Sequence, residues 1–190
     1  MTSPSNITKT LDYGGVCVLP TETVYGIASR ADDSAAIDRI YAIKGRDFDK
    51  PLAVCVADLA AAKKLAQFNE TALRLADEFW PGALTLVLPV ESKTLDPRCY
   101  QGSTIALRCP DIEWRESFDS PLALTSANKS GEAAATTAQT GLNVDVVLDT
   151  GPSREKIAST ILLVKDGKIK CLREGALSAD ALKAYDIEWS

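Results

Sequence analysis

The sequence predicts an α/β protein, a twisted sheet of mixed parallel and antiparallel strands flanked by helices. Two patterns carry that prediction. In the first half, short apolar runs bounded by Gly and Pro alternate with stretches whose apolar residues recur at helical spacing; in the second half, strand-like runs come in pairs joined by turn residues. A third observation sets the scale: 190 residues, 46% hydrophobic and 25% charged, have the size and balance of one globular domain over residues 1–190.

In chain order, Val16 to Leu19 follows Gly14-Gly15 and stops at Pro20, which reads as a buried strand leading into the loop Pro20 to Gly26. Asp33 or Ser34 caps a helix to about Ile43, with Ile37, Ile40 and Tyr41 on one face and Gly45 as its stop. Leu52 to Val56 is a strand. Leu59 to Phe68 and Ala72 to Trp80 are helices separated by the capping signal Asn69-Glu70-Thr71, and Pro81-Gly82 ends the second. Leu84 to Leu88, Thr104 to Leu107, Leu122 to Leu124, Val144 to Leu148 and Ile161 to Val164 are short strands, the last forming a hairpin with Lys168 to Leu172 through Asp166-Gly167. The Ala/Thr-rich stretch Ala133 to Thr140 reads as either a helix or a surface loop, and is the expected substrate-covering lid.

Composition excludes several chemistries. There is no histidine, so a histidine base, a Ser-His triad and a His-containing zinc site are ruled out. Cys17, Cys55, Cys99, Cys109 and Cys171 are far apart without a C-x-x-C pair, which reads as buried free thiols in a reducing cytosol. Met1 to Thr8 lacks the basic and apolar regions of a secretory leader, and no stretch approaches the roughly 18 apolar residues of a membrane span, so a cytoplasmic protein without membrane contact is expected. A net charge of −5 argues against a surface built to wrap nucleic acid while leaving room for a local basic pocket.

Five segments hold residues suited to ligand chemistry. In Pro20-Thr21-Glu22-Thr23-Val24-Tyr25-Gly26, hydroxyls and backbone N–H groups after a buried strand suit a small zwitterion, though Thr-x-Thr beside Pro is also an ordinary turn. Lys44-Gly45-Arg46 presents two cations able to converge on phosphate, yet cations at a helix C-terminus also answer the helix dipole. Thr104 to Arg108 places an arginine after a β-run, as a carboxylate clamp or a solvated strand end. Ser126 and Asn128, one residue apart, suit phosphate or ribose, or a plain Asn/Ser/Gly turn. Ser159-Thr160 together with Arg173-Glu174-Gly175 is a fifth polar site or a polar hairpin.

Taken in order, these segments, with Lys50-Pro51-Leu52, Phe79-Trp80-Pro81-Gly82 and Leu172-Arg173-Glu174-Gly175-Ala176, resemble the single-domain YrdC-like family of threonylcarbamoyl-AMP synthases from about Gly14 to Leu177. The family signature K-x-R followed by S-x-N stands here as Lys44-Gly45-Arg46 and Ser126-Ala127-Asn128. The resemblance implies a YrdC/RibB-like fold around a concave basic cavity. It also implies ATP-contacting positions at Lys44, Arg46, Thr104, Ser126, Asn128, Ser159 and Arg173, and threonine-contacting positions at Thr21, Tyr25, Arg108 and Ser126. Lys44, Arg46, Ser126 and Asn128 are the expected catalytic set. Departures are Cys55 where many relatives have histidine, Ile112-Glu113 for a His-Pro, a short Trp114 to Ser120, and Ala158 for a glutamate.

The activity so implied joins L-threonine, bicarbonate or CO2 and ATP into threonylcarbamoyl-AMP and pyrophosphate for the t6A modification of tRNA, with Mg²⁺ carried on the ATP phosphates and no metal ligands from the protein. The product passes to a tRNA threonylcarbamoyl-transferase complex. Two other readings compete. One is an RNA-binding module, for which weak binding at most is expected of an acidic chain; the other is the carbamoyl-adenylate chemistry of hydrogenase maturation, where such domains are fused to further modules.

Overall fold

In the computed structural model of the chain the described residues are 4–189; the parts of the Met1 to Thr8 stretch and of the 1–190 domain that fall on residues 1–3 and 190 lie outside them. The chain opens with α1 (Pro4–Asp12), whose Ile7 and Leu11, four residues apart, share one buried face. Strand β1 (Cys17–Leu19) and the loop to Tyr25 follow as the sequence predicts, and the chain then returns antiparallel as β2 (Gly26–Arg30). Helix α2 (Ser34–Lys44) has both of its predicted caps: the Asp33 carboxylate accepts the Ala36 N–H, and Gly45 sits at φ 60°, in the left-handed region that glycine enters without a Cβ penalty.

After β3 (Ala53–Cys55), helix α3 (Leu59–Lys63) stops five residues short of the expected Phe68. The cause is a competing pairing: the Glu91 N–H donates to the Leu65 carbonyl and the Gln67 N–H to Pro89, which draws residues 65–67 alongside the end of β4 (Leu84–Pro89). Helix α4 (Glu70–Phe79) is capped by Asn69, whose side chain accepts the Ala72 N–H. Then come β5 (Tyr100–Gln101), β6 (Thr104–Arg108), β7 (Leu122–Ser126), β8 (Val146–Val147, shorter than Val144 to Leu148), the hairpin β9 (Thr160–Lys165) and β10 (Lys168–Arg173), and β11 (Ile187–Trp189). Residues 133–140 form neither helix nor strand.

The strands make one mixed sheet in the order β11-β10-β9-β4-β6-β3-β7-β2-β1-β8, with β5 on β6. Parallel pairs (β3 with β6, β4 with β9) alternate with antiparallel ones (β4 with β6, β3 with β7). Side-chain alternation divides the faces. Val54, Leu86, Leu107, Ala123 and Leu162 point to the face where Ile37, Ile40, Leu75 and Ala76 of α2 and α4 cover them. On the other face, Leu19, Cys55, Leu122 and Leu124 pack on Ile7, Leu11 and Trp114, and burial of each leucine contributes about 1.5–3 kcal/mol. That second cluster covers only the β1–β2–β7 end of its face. Over β3, β6, β4, β9 and β10 the same face presents Thr85, Arg108, Ile161 and Arg173 to an open cavity.

Candidate functional site

The cavity encloses about 170 Å³. That is less than the ~300–1,000 Å³ usual for small-molecule sites, so its enclosed part suits an amino-acid-sized group and anything larger extends through the mouth. Its wall contains six of the expected residues: Tyr25, Arg46, Arg108, Ser126, Ser159 and Arg173. They come from six parts of the chain, brought together because β2, β3, β6, β7, β9 and β10 are neighbours or near-neighbours in the sheet. All five cysteines are buried and free, and Cys55 lines the cavity. Burial pushes the thiols of Cys17, Cys55 and Cys99 up to about 12, so they stay protonated and unreactive.

The loop between β1 and β2 is organised by hydroxyls. Arg108 Nη2 donates to Thr23 Oγ1 at 2.7 Å, the Thr23 and Thr21 hydroxyls are 2.9 Å apart, and Thr21 donates to the Val24 carbonyl at 2.6 Å. Since Thr21's hydrogen goes to Val24, Thr23 donates to Thr21, and a one-directional chain of hydrogen bonds runs from the guanidinium into the loop. Thr21 is buried in that chain and does not reach the cavity wall. Arg108 Nη2 also meets Glu22 Oε1 at 2.9 Å, with Glu22 only 4% exposed and Arg108 6%. Arg108 Nε and Glu22 Oε2 are buried without hydrogen-bond partners among the described residues. Tyr25 lines the cavity while its phenol donates to the Gly151 carbonyl at 2.7 Å.

Across the cavity, Arg173 Nε and Nη2 donate to the Ser159 carbonyl at 3.0 and 2.8 Å, and the Ser159 and Thr85 hydroxyls lie 2.8 Å apart. Burial, and then repulsion from Arg108, lowers the Arg173 pKa from its ordinary value: two guanidiniums face one cavity without enough counter-charge. Arg46 turns back on its own loop, donating to the Lys50 and Pro51 carbonyls at 3.0 Å each.

Four expected residues stand elsewhere. Thr21 lies behind the wall, in the chain of hydroxyls. Thr104 is on the same sheet face as Arg108 but four residues along β6, outside the enclosed volume, with its hydroxyl on the Gln101 carbonyl. Asn128 donates its amide to the Lys129 and Glu132 carbonyls, and its Oδ1 is buried without a partner among the described residues. Lys44 is 2% exposed, and its ammonium donates to the Ser126 and Asn128 carbonyls at 2.5 and 2.6 Å. The expected lid, 133–140, is pinned beside the cavity: the Tyr25 N–H donates to the Ala135 carbonyl and the Ser153 N–H to Thr136. Glu22, Thr23 and Thr85 were missed as supporting residues. For Glu22 the sequence held a signal, a carboxylate between two threonines right after a buried strand, where an exposed acid has no reason to sit.

Among the described residues no helix is long and apolar enough to cross a membrane, and no group of three or more His, Cys, Asp or Glu side chains is placed to hold a metal. A family model for Sua5/YciO/YrdC, described as "Telomere recombination", matches residues 9–175. A putative threonylcarbamoyl-AMP synthase of Methanocaldococcus jannaschii is 36% identical over 180 residues, covering 92% of this chain and 86% of the relative. The threonylcarbamoyl-AMP synthase of Bacillus subtilis is 37% identical over 181 residues, 89% of this chain and 52% of the relative, so the chain spans about half that protein's length. The crystal structure of Pyrococcus abyssi Sua5 complexed with L-threonine superposes with a TM-score of 0.92 at 31% identity, over 100% of this chain and 60% of that one.

Proposed function

The chain belongs to the Sua5/YciO/YrdC family, and from that premise we propose that it is a threonylcarbamoyl-AMP synthase, acting as a single domain in the cytoplasm and making the intermediate for t6A in tRNA. The observation that carries the reading is the convergence of Arg46, Arg108 and Arg173 with Ser126 and Ser159 on one cavity whose wall, among the described residues, holds no carboxylate. Such a lining fits two anions that must meet, a carboxylated amino acid and a triphosphate.

In this reading Arg108 holds threonine's carboxylate in the enclosed part, with Tyr25 and Ser126 beside it and Thr21 stiffening the loop from behind. Threonine's amine, after losing a proton to solvent, forms a C–N bond to CO2 as one C–O π pair moves onto oxygen, and the nitrogen then gives up a second proton to solvent. An oxygen of the resulting carbamate attacks the α-phosphorus of ATP, the bond from that phosphorus to the bridging oxygen breaks, and pyrophosphate leaves with the electron pair. Arg46, Arg173 and Ser159 orient the phosphates and offset their charge, with Thr104 and Asn128 toward the mouth, and no protein nucleophile is required. Mg²⁺ would supply further charge neutralisation on the phosphate oxygens. The carboxylate-free wall fits an ion brought by ATP and not one held by the protein. A small enclosed volume keeps water from the carbamate and from the mixed anhydride, which a downstream threonylcarbamoyl-transferase complex would consume.

The test is incubation with labelled bicarbonate, ATP and L-threonine. Threonine-dependent release of pyrophosphate with label in threonylcarbamoyl-AMP is expected; ATP turnover without threonine dependence would overturn the assignment.

A further inference from the structure

Two cations one residue apart invite the expectation that both meet phosphate, yet the backbone between them sends them to different places. Helix α2 ends at Lys44, and Gly45 at φ 60° turns the chain so that Arg46 lines the cavity while Lys44 does not. Two of the three N–H groups of the Lys44 ammonium are spent on the Ser126 and Asn128 carbonyls, 82 and 84 residues away. The attachment is reciprocal. The Ser130 N–H donates to the Lys44 carbonyl at 2.8 Å, and Lys129 Nζ donates to the Ile43 carbonyl at 2.5 Å, so the segment after β7 satisfies carbonyls that the end of α2 leaves open.

We propose that Lys44 is a positioning residue: its ammonium holds the backbone of Ser126 to Asn128 in the shape that offers Ser126 to the cavity, and it does not itself contact the nucleotide. This rests on the reading of the cavity as a nucleotide site. For the ammonium to reach a phosphate it would abandon two charge-assisted hydrogen bonds and leave the Ser126 carbonyl with only the Asn128 N–H, a large cost for one contact at the cavity mouth. Nor, among the described residues, does a carboxylate pair with it. Two carbonyl dipoles hold the cation, and burial followed by repulsion from Arg46 lowers its pKa to about 8, as expected of an amine kept from water without a counter-ion. The two signature motifs thus form one unit, with Arg46 facing the ligand and Lys44 tying the frame.

The test compares Lys44→Met with Arg46→Ala in the full chain by two measurements. ATP affinity is titrated across rising salt, and hydrogen exchange is followed for residues 126–131, whose Ala127, Asn128 and Ser130 amides are bonded in the folded state. Arg46→Ala is expected to weaken ATP binding and flatten its salt dependence, with exchange in 126–131 unchanged. Lys44→Met is expected to weaken ATP binding about tenfold, raise the KM for ATP more than that for threonine, keep the wild-type salt dependence and speed exchange in 126–131. Flattening of the salt dependence by Lys44→Met with exchange unchanged would make Lys44 a phosphate ligand and sink the proposal. If the wild-type chain binds no ATP, the nucleotide reading fails, while the exchange measurement still decides whether Lys44 holds the segment.

Discussion

Glu22 and Arg108, 4% and 6% exposed, bring opposite charges into a part of the molecule largely closed to water, and they satisfy each other only in part. Among the described residues, one Glu22 oxygen and the Arg108 Nε have no hydrogen-bond partner. Buried charge without full pairing persists in a fold when a ligand completes it or when its placement matters. Here the pair and Thr23 together use the Nη2 of Arg108 and fix the plane in which the guanidinium enters the cavity. Removing the acid with its volume should therefore cost more than removing its charge. Glu22→Ala is expected to destabilise the protein by about 3–5 kcal/mol, since it strands a buried cation. At roughly 2–4 °C per kcal/mol for a chain of this size, the melting temperature should fall by about 6–20 °C. Glu22→Gln keeps an acceptor for Nη2 and should remain folded at assay temperature, with a threonine KM changed severalfold and an ATP KM near normal. Thermal unfolding and initial rates on both variants check this. Equal changes in the two KM values for Glu22→Gln would mean that the carboxylate supports the fold without positioning Arg108.

Among the elements, the return of the chain after β10 shows how closely the backbone itself builds the cavity. The register of β9 against β10 slips between Cys171 and Arg173, which leaves Leu172 exposed and turns Arg173 onto the Ser159 carbonyl. Gly175 then passes so close to the wall that a Cβ on it would lie 2.2 Å from the Ala158 carbonyl oxygen and 2.6 Å from Ser159 backbone atoms. The Thr160 hydroxyl locks this approach by accepting the Gly175 and Leu177 N–H groups. Gly175→Ala must push residues 158 and 159 aside. It is expected to lower kcat/KM for ATP tenfold or more while the control Gly102→Ala, at φ +61° with nothing within 4 Å of the new methyl, loses about 1 kcal/mol of stability and little activity. The reverse ranking would separate the 175 approach from the site. Gly175 stands in a motif that was legible, but its reason was not: close approach is a property of two segments. The same limit explains β2. Gly26-Ile27-Ala28-Ser29-Arg30 carries a single β-branched residue, Ile27, and no aromatic one, and it lies between β1 and β7, where a Cβ at position 26 would come within 3.0 Å of the Leu124 side chain. Capped α2, the β9–β10 hairpin and the apolar strands were readable since their signals are local. The shortened α3 was not, because a tertiary pairing with the end of β4 overrides its propensity. Of the site, the motif order located the cavity wall, while the division between Arg46 and Lys44 depended on a turn whose consequence only three dimensions display.

At the scale of the whole molecule the question is whether a basic cavity makes an RNA-binding surface. Acidic residues outnumber basic ones by 26 to 21, and the distribution matters more than the total. Arg30 pairs with Asp12 and Asp32, Arg39 with Asp145, Arg98 with Asp96 and Asp38, and Arg154 with Asp111 and Glu155, so many arginines outside the cavity are already committed to carboxylates. Around the site, Arg108 and Lys44 are almost wholly buried, and Arg173, although exposed, is tied back onto Ser159. A polynucleotide backbone needs cations spaced along an exposed groove, each releasing counterions on contact, and cations that are buried or held by carbonyls do not form one. A compact triphosphate can enter where a strand cannot. The chain is therefore expected to bind tRNA no more tightly than the ~10⁻⁴–10⁻⁶ M typical of non-specific association at physiological salt, without preference among tRNA sequences, while ATP competes little with it. Filter binding with several tRNAs, with and without ATP, measures all three quantities. A tight and sequence-selective complex displaced by ATP would mean that the cavity mouth is part of an RNA interface, and the RNA-binding reading would then take precedence over a cavity built for small anions alone.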